Sequence, residues 1–326
     1  MGPASEPAHE SNFPFAGVDD HYFIAAAVRP GKTRVDYTPL TVPGPGDTQR
    51  QFLVPTFRFA NTSAVRFFIG PKQFDTLRRV DAELVRAINF GIFGFIAVPL
   101  LEILKWLNGY IGNYGWSIIA LTILLNLVLF PLRHKSVVAM RKMQVIQPQI
   151  KAIQDRYANL SMTDPAKQKM NTEVMNLYRE KGVNPASGCV PMLLQFPLLY
   201  AMYAVLGQGI ELRGADFMLW IHDLSQHDPY YVTPLLMGAT LVWQTRTTPT
   251  SADPAQQKMM MFMPVMMTAI FLRLASGLAI YYLVGNLWAV GQQYFTNWMI
   301  GPPAVPAPPA TRKIKSAGGG KTPGAQ

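Results

Sequence analysis

Leu121 to Lys135 reads LTILLNLVLFPLRHK, an apolar run interrupted by one amide, Asn126, and closed by Arg133, His134 and Lys135. A segment that is apolar on every side is buried either in a large protein core or in lipid, and a cationic end marks where a lipid-buried segment meets water and phosphate. Extended upstream, the uncharged run covers Trp106 to Leu132, more than the roughly 20 residues that cross a bilayer as helix. Four more uncharged runs follow: Asn184 to Ile210, Pro229 to Gln244, Met259 to Leu272, and Leu274 up to a basic tail at Arg312. The first, second and last are long enough to span, and the other two are short, which implies tilting or shielding by neighbouring helices. Five spans are therefore expected, in a chain that is 49% hydrophobic and only 15% charged. Such a succession exceeds what the core helices of a soluble domain provide.

The net charge of +10 raises the question of nucleic acid, but its distribution answers otherwise. Arg133 to Lys181 carries ten Lys and Arg against four Asp and Glu, while Glu211 to Asp228 carries one Arg against four acids. Basic loops stay in the cytoplasm, so the first segment is expected inside and the second outside. Alternation then puts the N-terminal region outside and the C-terminal tail inside. The tail, PPAVPAPPATRKIKSAGGGK, is Pro- and Gly-rich with a basic cluster, read as disordered and open to anionic lipid, RNA or plain solvation. The single cysteine, Cys189, excludes an internal disulfide and any multi-cysteine metal site, and reads as a small buried apolar residue.

Ahead of the spans, HYFIAAAV, QFLVPTFRF and VRFFIG are strand-like stretches separated by the clusters RPG and VPGPGD, which predicts part of a β domain with breaks at those clusters. In PLLEILKWLNGYI, residues 99–111, Glu102, Lys105 and Asn108 share one stripe. This fits either an interfacial helix with Trp106 and Tyr110 at headgroup level or an ordinary amphipathic packing helix. After the first span, Met140, Met143, Ile146, Ile150, Ile153 and Tyr157 recur every three or four residues, and Met170, Val174, Leu177 and Tyr178 repeat the pattern. The spacing predicts two helices with one apolar face each, the second capped by Asp164, started by Pro165 and closed by Gly182. They are expected to form an antiparallel hairpin.

No catalytic constellation is present. The five histidines are scattered, the uncharged runs contain no histidine to serve Ser276 as a base, and no phosphate-binding glycine loop occurs. Neither a cofactor nor a metal site is expected, and the protein is not read as an enzyme. The spans instead carry uncharged polar groups and prolines: Thr122 and Asn126, then Gln195 with Pro191 and Pro197, Pro234 and Gln244, Pro264, and Asn286, Gln292 and Gln293. Lipid offers these groups no partners, so they face one another across helices or line a polar groove. Methionines at KMMMFMPVMM, with Met140, Met143, Met170 and Met175, add surface that adapts to apolar partners or fills cores.

The longer motifs are specific. GNYGWSIIALTILLNLVLFPLRHKSVVAMRKMQVIQPQI, LYREKGVNPASGCVPMLLQFPLLYAMYAVL, ELRGADFMLWIHDLSQHDPYYVTPLLMG, DPAQQKMMMFMPVMMTAIF and SGLAIYYLVGNLWAVGQQ closely resemble the bacterial YidC membrane protein insertase family, of the Oxa-type insertase superfamily, over about residues 85–298. The resemblance implies a mainly α polytopic membrane protein with five core helices around a hydrophilic groove, preceded by a partial periplasmic β-sandwich domain. It implies insertion and folding of nascent inner-membrane proteins, alone or beside the Sec translocon, with a cytoplasmic hairpin that meets ribosome and targeting machinery. No specific nucleic-acid sequence is implied as a partner, and the lipid bilayer is.

On this resemblance the chain divides into a partial periplasmic β domain (1–80), a linker with an interfacial helix (81–112), a first span (113–132), the hairpin (133–183), four further spans with loops (184–300) and the tail (301–326). The groove is expected to hold Thr122, Asn126, Gln195, Gln244, Tyr282 and Gln292. Two departures stand out: the family's N-terminal anchor and first part of the sandwich are missing, so a truncated member is expected, and Asn126 stands where the family pattern has an arginine. A neutral amide loses Coulomb attraction for acidic substrates, so their preference is expected to weaken; Arg273, at an outer turn, is not expected to compensate. A transporter or channel with a polar cavity is the alternative, which inverted repeats or intramembrane charges would favour.

Overall fold

The computed structural model describes residues 8–43, 49–60, 65–157, 165–184, 190–247 and 254–301. The expectations for Asp164, for Cys189 and for the tail beyond 301 fall outside these residues. The chain forms two compact units, one of Met1–Leu124, Gln195–Met237 and Met267–Val284, the other of Leu125–Leu194, Gly238–Met266 and Gly285–Gln326.

The first unit opens with an antiparallel sheet of β1 (Ala8–Asp19), β2 (Phe23–Pro43), β3 (Gln49–Phe59) and β4 (Arg66–Pro71). β2 is central: β1 lies along one edge, and β4 and β3 pair in succession with its first and second halves. The RPG cluster does not separate strands as the sequence suggested. It lies inside β2, where Arg29 and Gly31 take φ of 49° and 73°. The ladder shifts register there against Phe13 and Phe15. Proline has no N–H to give a ladder, and a bulge is where a strand tolerates that loss. The buried Asp81 carboxylate accepts from the Arg29 Nε and from the Glu83 N–H, tying the bulge to the segment after the sheet.

Helix α1 (Phe74–Val80) leads to α2 (Gly94–Ile111), preceded by a 3-10 turn at Gly91–Phe93. α2 buries Ala97, Leu100, Leu101 and Leu104, while Trp106 and Tyr110 remain exposed with their rings 5.1 Å apart. Its polar stripe faces α1: Lys105 pairs with Asp75, and Glu102 lies 3.6 Å from Arg78. The helix is longer than the sequence reading of 99–111.

Helix α3 (Tyr114–Arg156) runs for 43 residues without interruption through Pro131 and Pro148, so the expected first span and the first arm of the hairpin are one helix. It begins in the first unit and continues in the second. α4 (Pro165–Glu180) packs back on it. Met143, Ile146, Ile150 and Val183 form a buried core against Val174, Leu177 and Tyr178, so residues spaced three and four apart on each helix face the other. Gly182, at φ 63°, closes α4: its N–H bonds the Arg179 carbonyl and the Val183 N–H bonds the Tyr178 carbonyl. This paired closure needs a left-handed residue, which glycine adopts without a Cβ penalty.

The remaining helices are α5 (Val190–Gln208), α6 (Val232–Thr247), α7 (Pro254–Phe271) and α8 (Ser276–Ile300). Among the described residues, the stretches Gly91–Ile111 and Tyr114–Arg156 are long and apolar enough to cross a membrane, and Met260–Phe271 is a shorter apolar helix.

Candidate functional site: buried polar groups on apolar helices

Within the second unit, α3, α6 and α8 bring polar side chains together below an apolar exterior. Leu127 and Val128 are exposed on α3, as are Leu287 and Phe295 on α8, whereas Asn126, Asn286, Gln292, Gln293 and Thr296 are buried. The Asn286 amide donates to Thr240 Oγ1 of α6 at 3.4 Å. Gln292 Nε2 donates to the Phe130 carbonyl at 3.4 Å. His134 Nδ1 lies 3.3 Å from Thr296 Oγ1. Gln244 is half-buried on α6.

Asn126 has a partner that its sequence neighbourhood did not announce: Arg133 Nη1 donates to Asn126 Oδ1 at 2.7 Å. The two are seven residues apart, about two helical turns, and so lie on one stripe. Side chains on a helix lean toward its N-terminus, which carries the Arg133 stem back over Asn126. In the sequence Arg133 marks only the cationic end of a span. The i, i+7 spacing and this lean are the signal that could have paired it with Asn126.

The other expected groove residues belong to the first unit. Thr122 is fully buried and its hydroxyl donates to the Ile118 carbonyl at 2.6 Å, four residues back on its own helix. Gln195 is half-buried on α5. Tyr282 is half-buried on α8, its ring edge-on to Phe271 at 4.7 Å. Of the hairpin methionines, Met143 belongs to the buried core, Met140 and Met170 are half-buried, and Met175 is exposed.

The LWIHDLSQHDPYY stretch is organised around Asp228, which is fully buried. One carboxylate oxygen accepts from Trp220 Nε1 and the Tyr230 N–H, the other from the Thr233 N–H and hydroxyl. Burial pushes this carboxyl up, but the donors from Thr233, Tyr230 and Trp220 outweigh it and hold the group below the ordinary carboxylate range. Ser276 is buried, and its hydroxyl donates to the Asp223 carbonyl at 3.2 Å. Among the described residues, no group of three or more His, Cys, Asp or Glu is placed to hold a metal ion.

A strand-rich N-terminal region followed by apolar helices with a buried polar interior defines a class of membrane-embedded helical protein. Residues 106–301 match the 60Kd inner membrane protein family, and the chain belongs to it. Residues 3–103 match the YidC periplasmic domain. The chain is similar to the membrane protein insertase YidC of Geobacter sulfurreducens, 46% identical over 232 residues, covering 71% of this chain and 43% of the relative. It is similar as well to that of Campylobacter jejuni, 45% identical over 231 residues with the same coverages, and that of Nitratidesulfovibrio vulgaris, 40% identical over 303 residues, covering 88% and 54%. The chain spans about half the length of these curated relatives. The fold resembles a crystal structure of an active YidC insertase with its first transmembrane domain resolved, at TM-score 0.51 and 22% identity, over 90% of this chain and 66% of that one.

Proposed function

We propose that this chain inserts nascent membrane proteins into the bacterial inner membrane and helps them fold, by binding and moving apolar segments without covalent chemistry. The observation that carries this reading is the buried polar set Asn126, Asn286, Gln292, Gln293 and Thr296 on helices with exposed apolar faces. A segment of polar backbone entering lipid loses its water partners at several kcal/mol per group. Amides and hydroxyls inside the membrane offset that cost while leaving lipid accessible to the apolar part of the substrate. The family membership supports the same reading.

In this reading five helices span the membrane, contributed by α3 and by α5 to α8, and Thr122, Asn126, Gln195, Gln244, Tyr282 and Gln292 are the residues proposed to meet substrate. The α3–α4 hairpin lies in the cytoplasm, as its basic charge requires, and presents Met140, Met170 and Met175 to substrate, ribosome or targeting machinery. The sheet is periplasmic, α2 lies at the interface, and the tail is cytoplasmic. The Sec translocon is a partner for part of the substrate range. Reconstitution of the purified chain in liposomes, followed by protease protection of a newly made single-span substrate, tests the function. Protection above that of empty liposomes is expected, and protection equal to theirs rejects it.

A further inference from the structure

Resting on the membrane placement in that reading, we propose that Arg141 binds the phosphate of an anionic lipid headgroup where α8 ends against α3 at the cytoplasmic surface. Within the second unit the two helices run side by side in one direction: Gln292 meets the Phe130 carbonyl, Thr296 meets His134, and the Gly301 carbonyl meets Arg141. α8 stops at Ile300, with Gly301 left-handed at φ 79°, while α3 continues to Arg156. A corner forms under the end of α8, and Arg141 lies in it. On the last turn of α8, Trp298 is 81% exposed and Met299 and Ile300 are exposed beside it. An exposed tryptophan at the end of an apolar helix sits at headgroup depth, which places the corner there too.

Arg141 is 6% exposed, and its Nη1 donates to the Gly301 carbonyl at 2.7 Å. That bond accounts for one corner of the guanidinium, since a cation suits the carbonyl end of a helix. The rest is unanswered: Nε and Nη2 are buried and have no acceptor. These two N–H groups point the same way along one edge of the planar head, the edge that grips two oxygens of a phosphate at once. The charge lacks a counter-ion as well. The described acids of this unit are Asp155, Glu173 and Glu180. Glu173 meets Tyr157 and Arg156, and Glu180 meets Lys181. Asp155 is fourteen residues further along α3, about 21 Å. From 274 to the end of the chain there is no Asp or Glu. A desolvated cation without an anion is costly, and a small outward swing of its unbranched stem brings the free edge to an oxyanion at the surface. Free phosphate offers the same oxygens, but a lipid also brings acyl chains to Trp298, Met299 and Ile300, and basic pockets between helices on the cytoplasmic side hold such headgroups.

The test titrates the purified full chain in detergent with dioctanoyl phosphatidylglycerol, dioctanoyl phosphatidylcholine or inorganic phosphate, and reads affinity from the rise in melting midpoint. The unmodified chain is expected to bind phosphatidylglycerol more tightly than the other two. Arg141→Gln is expected to weaken that binding about tenfold, and Arg141→Lys, which keeps the charge and loses the two-donor edge, about threefold. An arginine that only caps α8 would instead lower the midpoint equally with and without lipid. Phosphatidylglycerol affinity unchanged in Arg141→Gln, or in Arg141→Lys should the first variant fail to fold, overturns the site. Inorganic phosphate or phosphatidylcholine binding as tightly as phosphatidylglycerol overturns the anionic-lipid assignment. Protease protection of a single-span substrate in liposomes, measured on the same preparations, separates the two readings. Insertion without Arg141-dependent lipid binding overturns this inference alone, and Arg141-dependent lipid binding without insertion overturns the insertase reading alone.

Discussion

Trp220 Nε1 donates to Asp228 Oδ1 at 2.9 Å, and the same carboxylate receives three further donors from Tyr230 and Thr233. One buried anion therefore organises the whole turn that leads into α6. Replacing it by Asn puts an N–H₂ opposite donors that need an acceptor, leaving buried N–H groups unsatisfied. Asp228→Asn is expected to cost about 2 kcal/mol, read as a lower melting midpoint of the detergent-solubilised protein.

The pH dependence follows from the same group. The folded Asp228 carboxyl lies below its ordinary value, and the Asp81 carboxyl is lowered as well, first by the Arg29 guanidinium and then by the Glu83 N–H. A lowered folded value means that the unfolded chain binds the proton more readily. Both groups contribute their stability above the ordinary carboxylate range of about 4 and lose it as pH falls through the folded values. Melting midpoints are expected to drop between neutral pH and pH below about 4, and Asp228→Asn is expected to flatten part of that slope.

The hairpin should unfold locally when its core is cut. Ile146 is buried against α4 side chains, and Ile146→Ala is expected to cost about 2–4 kcal/mol. Amide hydrogen exchange in 165–183 should quicken while that of the sheet is unchanged. Gly182→Ala, at a left-handed φ of 63°, is expected to cost about 1 kcal/mol and to quicken exchange in the last turn of α4.

Gly115 at the start of α3 is buried where a Cβ would meet the Phe217 ring, and Asn113 Nδ2 donates to the Asp216 and Phe217 carbonyls alongside. Gly115→Val is expected to destabilise by about 1–3 kcal/mol through overpacking. Phe217→Ala in the same chain should recover part of the loss, since it removes the clashing ring; two losses that simply add would refute the steric account.

Much of this was legible from the amino acids. The uncharged runs, the three-and-four spacing from Met140 to Tyr178 and the glycine at 182 each report a local energy: transfer of apolar surface, one buried helix face, or one backbone angle. Such energies depend on neighbours in the chain, so reading along the chain recovers them. The RPG cluster misled for the converse reason. Locally it breaks a strand, but pairing of β2 with partners on both edges carries the strand through and confines the irregularity to a bulge.

The sequence by itself determined the apolar segments, the sign of charge on the loops, the hairpin pattern and the amide at position 126. Only the tertiary structure decided that span and hairpin arm are one helix, that Asp228 gathers four donors, and that Arg133 turns back to Asn126. Those outcomes depend on which groups meet in space, because a buried polar atom is stable only with a partner in place, and the partner's position is a property of the folded chain.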